Sequence, residues 1–214
     1  MSYPPTDYVE SNNVELFEII ERYPLATLFC QAHDMDDVMD DAVDDVIDHA
    51  MDHKIDIHSC HMPLSLCRES LTLYGHANPT NPLKKFKGKQ IHGVFHGPDT
   101  YLSPAQIKGI KLPTWDYATV HIQARLHEIE EFDKQIEVLH HMLTAFETGS
   151  QPWQLSAVPE KQLIAMCKSL LFFELKVTHI TGQFKLSQNK PAETRSEIAN
   201  LLSASKSEMS AYYQ

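Results

Sequence analysis

The chain is short of positive charge: 18 Lys and Arg stand against 29 Asp and Glu in 214 residues, a formal net charge of −11. A protein that grips nucleic acid needs clustered cations to release counterions from phosphates. A broad phosphate-facing surface is therefore excluded and direct DNA binding is disfavoured, although Lys84, Lys85, Lys87 and Lys89 form a small basic patch around Phe86. Cysteine is also scarce. Cys30, Cys60, Cys67 and Cys167 show no C-x-x-C spacing, and no apolar signal region follows the polar start, so a reducing cytoplasm is the expected setting. Apolar runs fall far short of the roughly 20 residues of a membrane helix, which excludes a bilayer-spanning segment of that kind. No internal repeat is present. The length suits one domain over 1–214 that buries its own core.

What is there alternates between two periods. Leu16, Phe17, Ile20 and Tyr23 recur at helical intervals behind Asn12 and Glu15, which have capping-box spacing, so a helix is expected from Asn13 to Arg22. Strands are expected at Leu25 to Gln31, from Ile55 to near Pro63, at Glu69 to Gly75, at Gln90 to Gly97 and at Tyr117 to His127. In the last of these Val120, Ile122, Ala124 and Leu126 alternate with polar partners, as on a half-buried antiparallel strand. Phe132, Ile136, Leu139, Leu143 and Phe146 make a helical stripe ended by Gly149. Pro159 and Glu160 open another helix, strand pattern resumes at Leu171, and Ile198, Leu201 and Leu202 mark a C-terminal helix over about 193–212. The class is α+β, mainly antiparallel.

Three segments carry candidate chemistry. Lys185, Ser187, Gln188 and Asn189 form K-x-S-Q-N before a helix opened by Pro191. Such residues build turns and caps readily. They are equally the ammonium, hydroxyl and amides that a phosphorylated ligand needs. Thr114, Trp115 and Tyr117 place aromatic faces beside polar groups, which suits a ring-binding pocket or an interface. His76 with Asn81 and Pro82, and His96 with Gly97 and Pro98, are further candidates to line a pocket. A lone histidine is more often a satisfied polar residue than a catalyst, so no catalytic residue is assigned.

Together these motifs resemble the PaiB-like family of FMN-binding proteins, which carry the label of negative transcriptional regulators. The resemblance implies a split β-barrel with peripheral helices, FMN as cofactor, and a homodimer that holds it between subunits. It implies a cofactor site drawn from Lys185, Ser187, Gln188, Asn189, Thr114, Trp115, Tyr117, His76 and Asn81. Asp116 stands where that family commonly has Asn. The resemblance also makes the acidic segment at about 33–54 an insertion of roughly twenty residues between two strands otherwise joined by a short turn.

In that insertion Val and Met residues follow an amphipathic helical pattern, and His49, His53, Asp45 and Asp52 lie at spacing usable for a divalent metal. No third and fourth ligand is fixed, and runs of Asp on a helix are ordinarily a solvated face, so no metal is expected. Three functions follow. The first is a regulatory or sensory FMN module, working through a protein partner if not DNA. The second is a flavin-dependent oxidoreductase using NAD(P)H. The third is a metal- or partner-binding protein acting through the Asp/His insertion.

Overall fold

The computed structural model describes residues 4–32 and 56–213. The acidic segment at about 33–54, for which a helical pattern is expected, lies outside these described residues. Helix α1 spans Asn13–Arg22 as its periodicity requires. Asn12 Oδ1 accepts from the Val14 N–H at 3.1 Å, a cap worth about 1 kcal/mol. Leu16, Phe17, Ile19 and Ile20 are buried, and the helix packs against the sheet.

The strands are β1 (Val9–Glu10), β2 (Leu25–Ala32), β3 (Asp56–Pro63), β4 (Ser65–Cys67), β5 (Thr72–Ala77), β6 (Gln90–Leu102), β7 (Thr114–Ile129) and β8 (Leu171–Lys185). They form one sheet in the order β3-β2-β6-β7-β8-β5-β4, with β1 added to β8. Every pairing is antiparallel. β3 also comes into contact with β5, so the two flanks of the sheet approach each other around α1 and the main core. A sheet curled in this way, with no ladder described between those flanks, is a barrel with a split.

β7 and β8 make the longest ladder, from Tyr117 opposite Lys185 to Ile129 opposite Phe172. β7 alternates as expected, burying Ala118, Val120, Ile122, Ala124 and Leu126. It begins earlier, at Thr114, because Thr114 to Tyr117 pair with the far end of β6 across a register shift between His96 and Asp99. Gly97 sits in that shift, where a Cβ would lie 2.7 Å from the Ala118 carbonyl oxygen, too close for any other residue.

Helices α2 (Phe132–Phe146) and α3 (Glu160–Lys168) cover the β5 end of the sheet with a second core cluster. The buried stripe of α2 is rotated from the expected one. Gln135, Val138, Leu139 and Met142 are buried, while Phe132 and Phe146 are each 37% exposed. Gln135 is turned inward because its amide donates to the Ile129 carbonyl at 3.0 Å, satisfying the strand end that precedes the helix. The C-terminal helix expected over about 193–212 is two elements: α4 (Ala192–Ala204), then a 3₁₀ turn at Glu208–Tyr213. Lys206 adopts a left-handed φ of 55°, which ends the helix and lets the tail turn back onto a third core cluster.

Candidate functional site

The sequence-derived candidates fall at two places. At one end of the β7–β8 ribbon, Thr114, Trp115, Tyr117 and the K-x-S-Q-N turn come together. Lys185 Nζ donates to Thr114 Oγ1 at 2.5 Å and to the Trp115 carbonyl oxygen, and lies 3.6 Å from Asp116 Oδ1. Asp116 has no solvent exposure. Its Oδ2 accepts from Ser187 Oγ at 2.6 Å and from the Tyr213 hydroxyl, which the tail brings back from the end of the chain. Its Oδ1 is, among the described residues, the buried side-chain atom with no hydrogen-bond partner, leaving Lys185 as its charge partner.

The geometry around the turn follows from that carboxylate. Ser187 is buried with φ at 55°, a region costly for a residue with a Cβ, and its bond to Asp116 holds it there. Gln188 closes the turn on itself: its Oε1 accepts from the Leu186 N–H at 2.7 Å and its amide donates to the Phe184 carbonyl. Asn189 is exposed. Tyr117 accepts from Gln183 Nε2 at 2.7 Å. Burial first, then the bond to Asp116, pushes the Tyr213 phenol far above its ordinary range, so it stays protonated as a donor. Beside this clasp two aromatic rings are open to solvent. Trp115 is 51% exposed and Tyr101 52%, with centroids 5.8 Å apart, and the Trp115 indole donates to Asp99 at 2.9 Å.

His76 and Asn81 are not part of that group. His76 lies on β5 opposite Phe172, at the other end of the ribbon, with ring centroids 5.6 Å apart. Lys185 is thirteen residues further along β8, about 43 Å of strand. Burial holds the His76 imidazole below its ordinary range, hence neutral near pH 7. Asn81 Oδ1 accepts from the Leu83 N–H at 3.0 Å and caps the 3₁₀ turn Pro82–Phe86. Sequence reading did not single out Tyr213 or Tyr101, since no local period marks either. The departure from Asn at Asp116 was visible, but its partners were not.

Comparison with known proteins places this architecture. The family model described as "Putative FMN-binding domain" matches residues 2–179, ending six residues before Lys185. The chain is 30% identical over 135 residues to protease synthase and sporulation protein PAI 2 of Bacillus subtilis (strain 168), covering 61% of this chain and 65% of that protein. It is 30% identical over 113 residues to uncharacterized protein AN0679 of Emericella nidulans, covering 48% of this chain and 44% of that one. It thus spans less than two thirds of either relative's own length. Among solved structures, the FAD and heme binding protein from Mycobacterium smegmatis superposes with a TM-score of 0.56 at 12% identity, over 90% of this chain and 80% of that one. The flavocytochrome Anf3 from Azotobacter vinelandii does so with a TM-score of 0.55 at 13% identity, over 86% and 72%. At such identities these two show the fold. With a family match over most of its length and a Bacillus relative of the PAI type, the chain belongs to the FMN-binding, PaiB-like family: it is a flavin-binding protein built on a split barrel.

Proposed function

We propose that this chain acts as a homodimeric flavin-dependent sensor or regulatory module. The observation that carries the reading is the separation of the two candidate groups. Lys185 with its exposed aromatic neighbours occupies one end of the β7–β8 ribbon, and His76 with Asn81 the other. A single copy cannot close both groups around one small ligand. Two copies related by a two-fold axis set one copy's Lys185 end against its partner's His76 end, which makes two equivalent sites. The regulatory part is supported by the name of the Bacillus subtilis relative, which ties that protein to protease synthesis and sporulation. A net charge of −11 favours a protein partner over DNA as the target.

The residues at the Lys185 end fit FMN in kind. The ammonium and the Thr114 hydroxyl suit a phosphate, Asn189 is free to face a ribityl chain, and the open faces of Trp115 and Tyr101 suit a flat ring. The fit has a cost, because Lys185 must exchange the Trp115 carbonyl and the neighbouring Asp116 charge for phosphate oxygens. Bound flavin would supply a ring able to accept a hydride or an electron.

Titration with FMN under fluorescence, with light scattering for mass, tests the reading. Saturable quenching at one FMN per chain in a dimer is expected, with Lys185→Ala weakening it about tenfold or more. A monomer that leaves FMN fluorescence unchanged ends the proposal. Anaerobic NADPH added to the loaded dimer separates sensing from catalysis: a sensor keeps its oxidised absorbance, and rapid bleaching assigns hydride transfer instead.

A further inference from the structure

Far from the Lys185 clasp, a cleft between β4, β5 and α2 is built like a ligand site that none of the candidate residues occupies. Its centre is His141. The Nδ1 atom lies 2.9 Å from Ser65 Oγ, a hydroxyl only 1% exposed, and the ring packs edge-to-face on Tyr74 at 5.1 Å. The imidazole is thus fixed from two sides. Burial holds it below its ordinary range against the opposing pull of Glu69, so it is neutral near pH 7.

His141 is the shared wall of two adjoining cavities. One, of about 410 Å³, is mainly apolar, with Pro24, Leu64, Leu66 and Phe146 around it. The other, of about 670 Å³, is acidic. Its four carboxylates face two lysines, and each lysine is already held by its own neighbour, Lys134 by Glu131 at 3.3 Å and Lys176 by Glu174 at 3.1 Å. Lys87, outside the cavity, takes Glu128 at 3.2 Å. Glu137 remains in excess. The C-terminal turn of α2, ending at Phe146, adds the negative end of a helix dipole to the apolar side.

We propose that this cleft binds a small organic cation, a protonated amine on an aromatic or branched aliphatic body. The body fills the apolar cavity, and the ammonium lies at the His141 wall toward the acidic one. With its proton on Nδ1, donated to Ser65 Oγ, the neutral imidazole presents Nε2 as an acceptor, which an ammonium can use and a carboxylate cannot; this is the tautomer that cation binding selects. Both volumes lie within the range of small-molecule pockets. The inference is independent of the flavin reading, which concerns other residues.

Three ligands of similar shape and different charge test it: benzylamine, benzyl alcohol and benzoate, each titrated into the full chain by calorimetry, with the His141 ring signals followed by NMR. Saturable benzylamine binding that moves those signals is expected, with the alcohol about tenfold weaker and benzoate silent. His141→Phe keeps a ring but removes the acceptor, and should weaken benzylamine about tenfold. Ala145→Trp, at an exposed position on the rim that folding tolerates, should block the apolar cavity and abolish binding. No saturable benzylamine binding, equal binding of benzoate, or wild-type affinity in both variants would each overturn the proposal.

Discussion

At the Lys185 end of the β7–β8 ribbon a buried carboxylate gathers an ammonium and two hydroxyls, whereas at the His76 end Phe172 sinks without exposure beneath α2 and α3 and Phe173 into the main core on the other face of the sheet. One end is held by directed polar bonds and the other by packing. The two should therefore fail differently. Polar clasps lose stability through partners left unpaired, and apolar packing loses it through cavities. A clasp can also be reopened by a competing ligand, as the proposed phosphate contact of Lys185 requires.

The largest break should come at the apolar end. Phe172→Ala removes a ring with no solvent exposure and should cost about 4 kcal/mol in urea unfolding. Asp116→Ala should cost about 3 kcal/mol, because the buried Ser187 and the half-buried Tyr213 are left without an acceptor. Tyr213→Phe should cost about 1.5 kcal/mol in the wild-type background and less than half of that beside Asp116→Ala. Full additivity in that cycle would mean that the tail and the turn are not coupled.

A smaller effect depends on pH. Burial lowers the folded pKa of His76 and His141, and of His121 in the middle of β7, so the unfolded chain binds their protons more readily. Their contribution is complete above about pH 6.5 and is lost as pH falls below it. Tyr213 is shifted the other way, so its contribution is present at neutral pH and lost only on the alkaline side, above about pH 10. Urea midpoints between pH 7 and 5 should accordingly decline less steeply in His76→Phe, and as steeply as wild type in Tyr213→Phe. Equal slopes in both variants would mean that His76 does not contribute to the acid sensitivity.

Much of the fold was legible in the sequence. α1 was readable to its last residue because one buried stripe and a capping Asn are local signals. The inward residues of β7 were readable because alternation allows a single buried face. The stripe of α2 was misplaced because Gln135, a polar residue, is buried by a bond to a strand end that no periodicity announces. Site residues were legible as types. Lys185, Thr114 and Trp115 do come together, but the bonds of Gln188 and Asn81 to nearby backbone close a turn and a cap, a role their residue types allowed equally, while Ser187 reaches Asp116, 71 positions away, which no local pattern announces.

The sequence by itself determined the charge balance, the period of each element and the family motifs, because each depends on residues close together in the chain. Only the tertiary structure decided that Asp116 meets Tyr213, 97 positions away, that Ser65 meets His141, 76 away, and that His76 lies a ribbon's length from Lys185. The last of these is set by the register of β5, β7 and β8, and the first two by how the tail and α2 pack on the sheet. Register is fixed by all the ladder hydrogen bonds and the core acting at once, and no single stretch of chain encodes it.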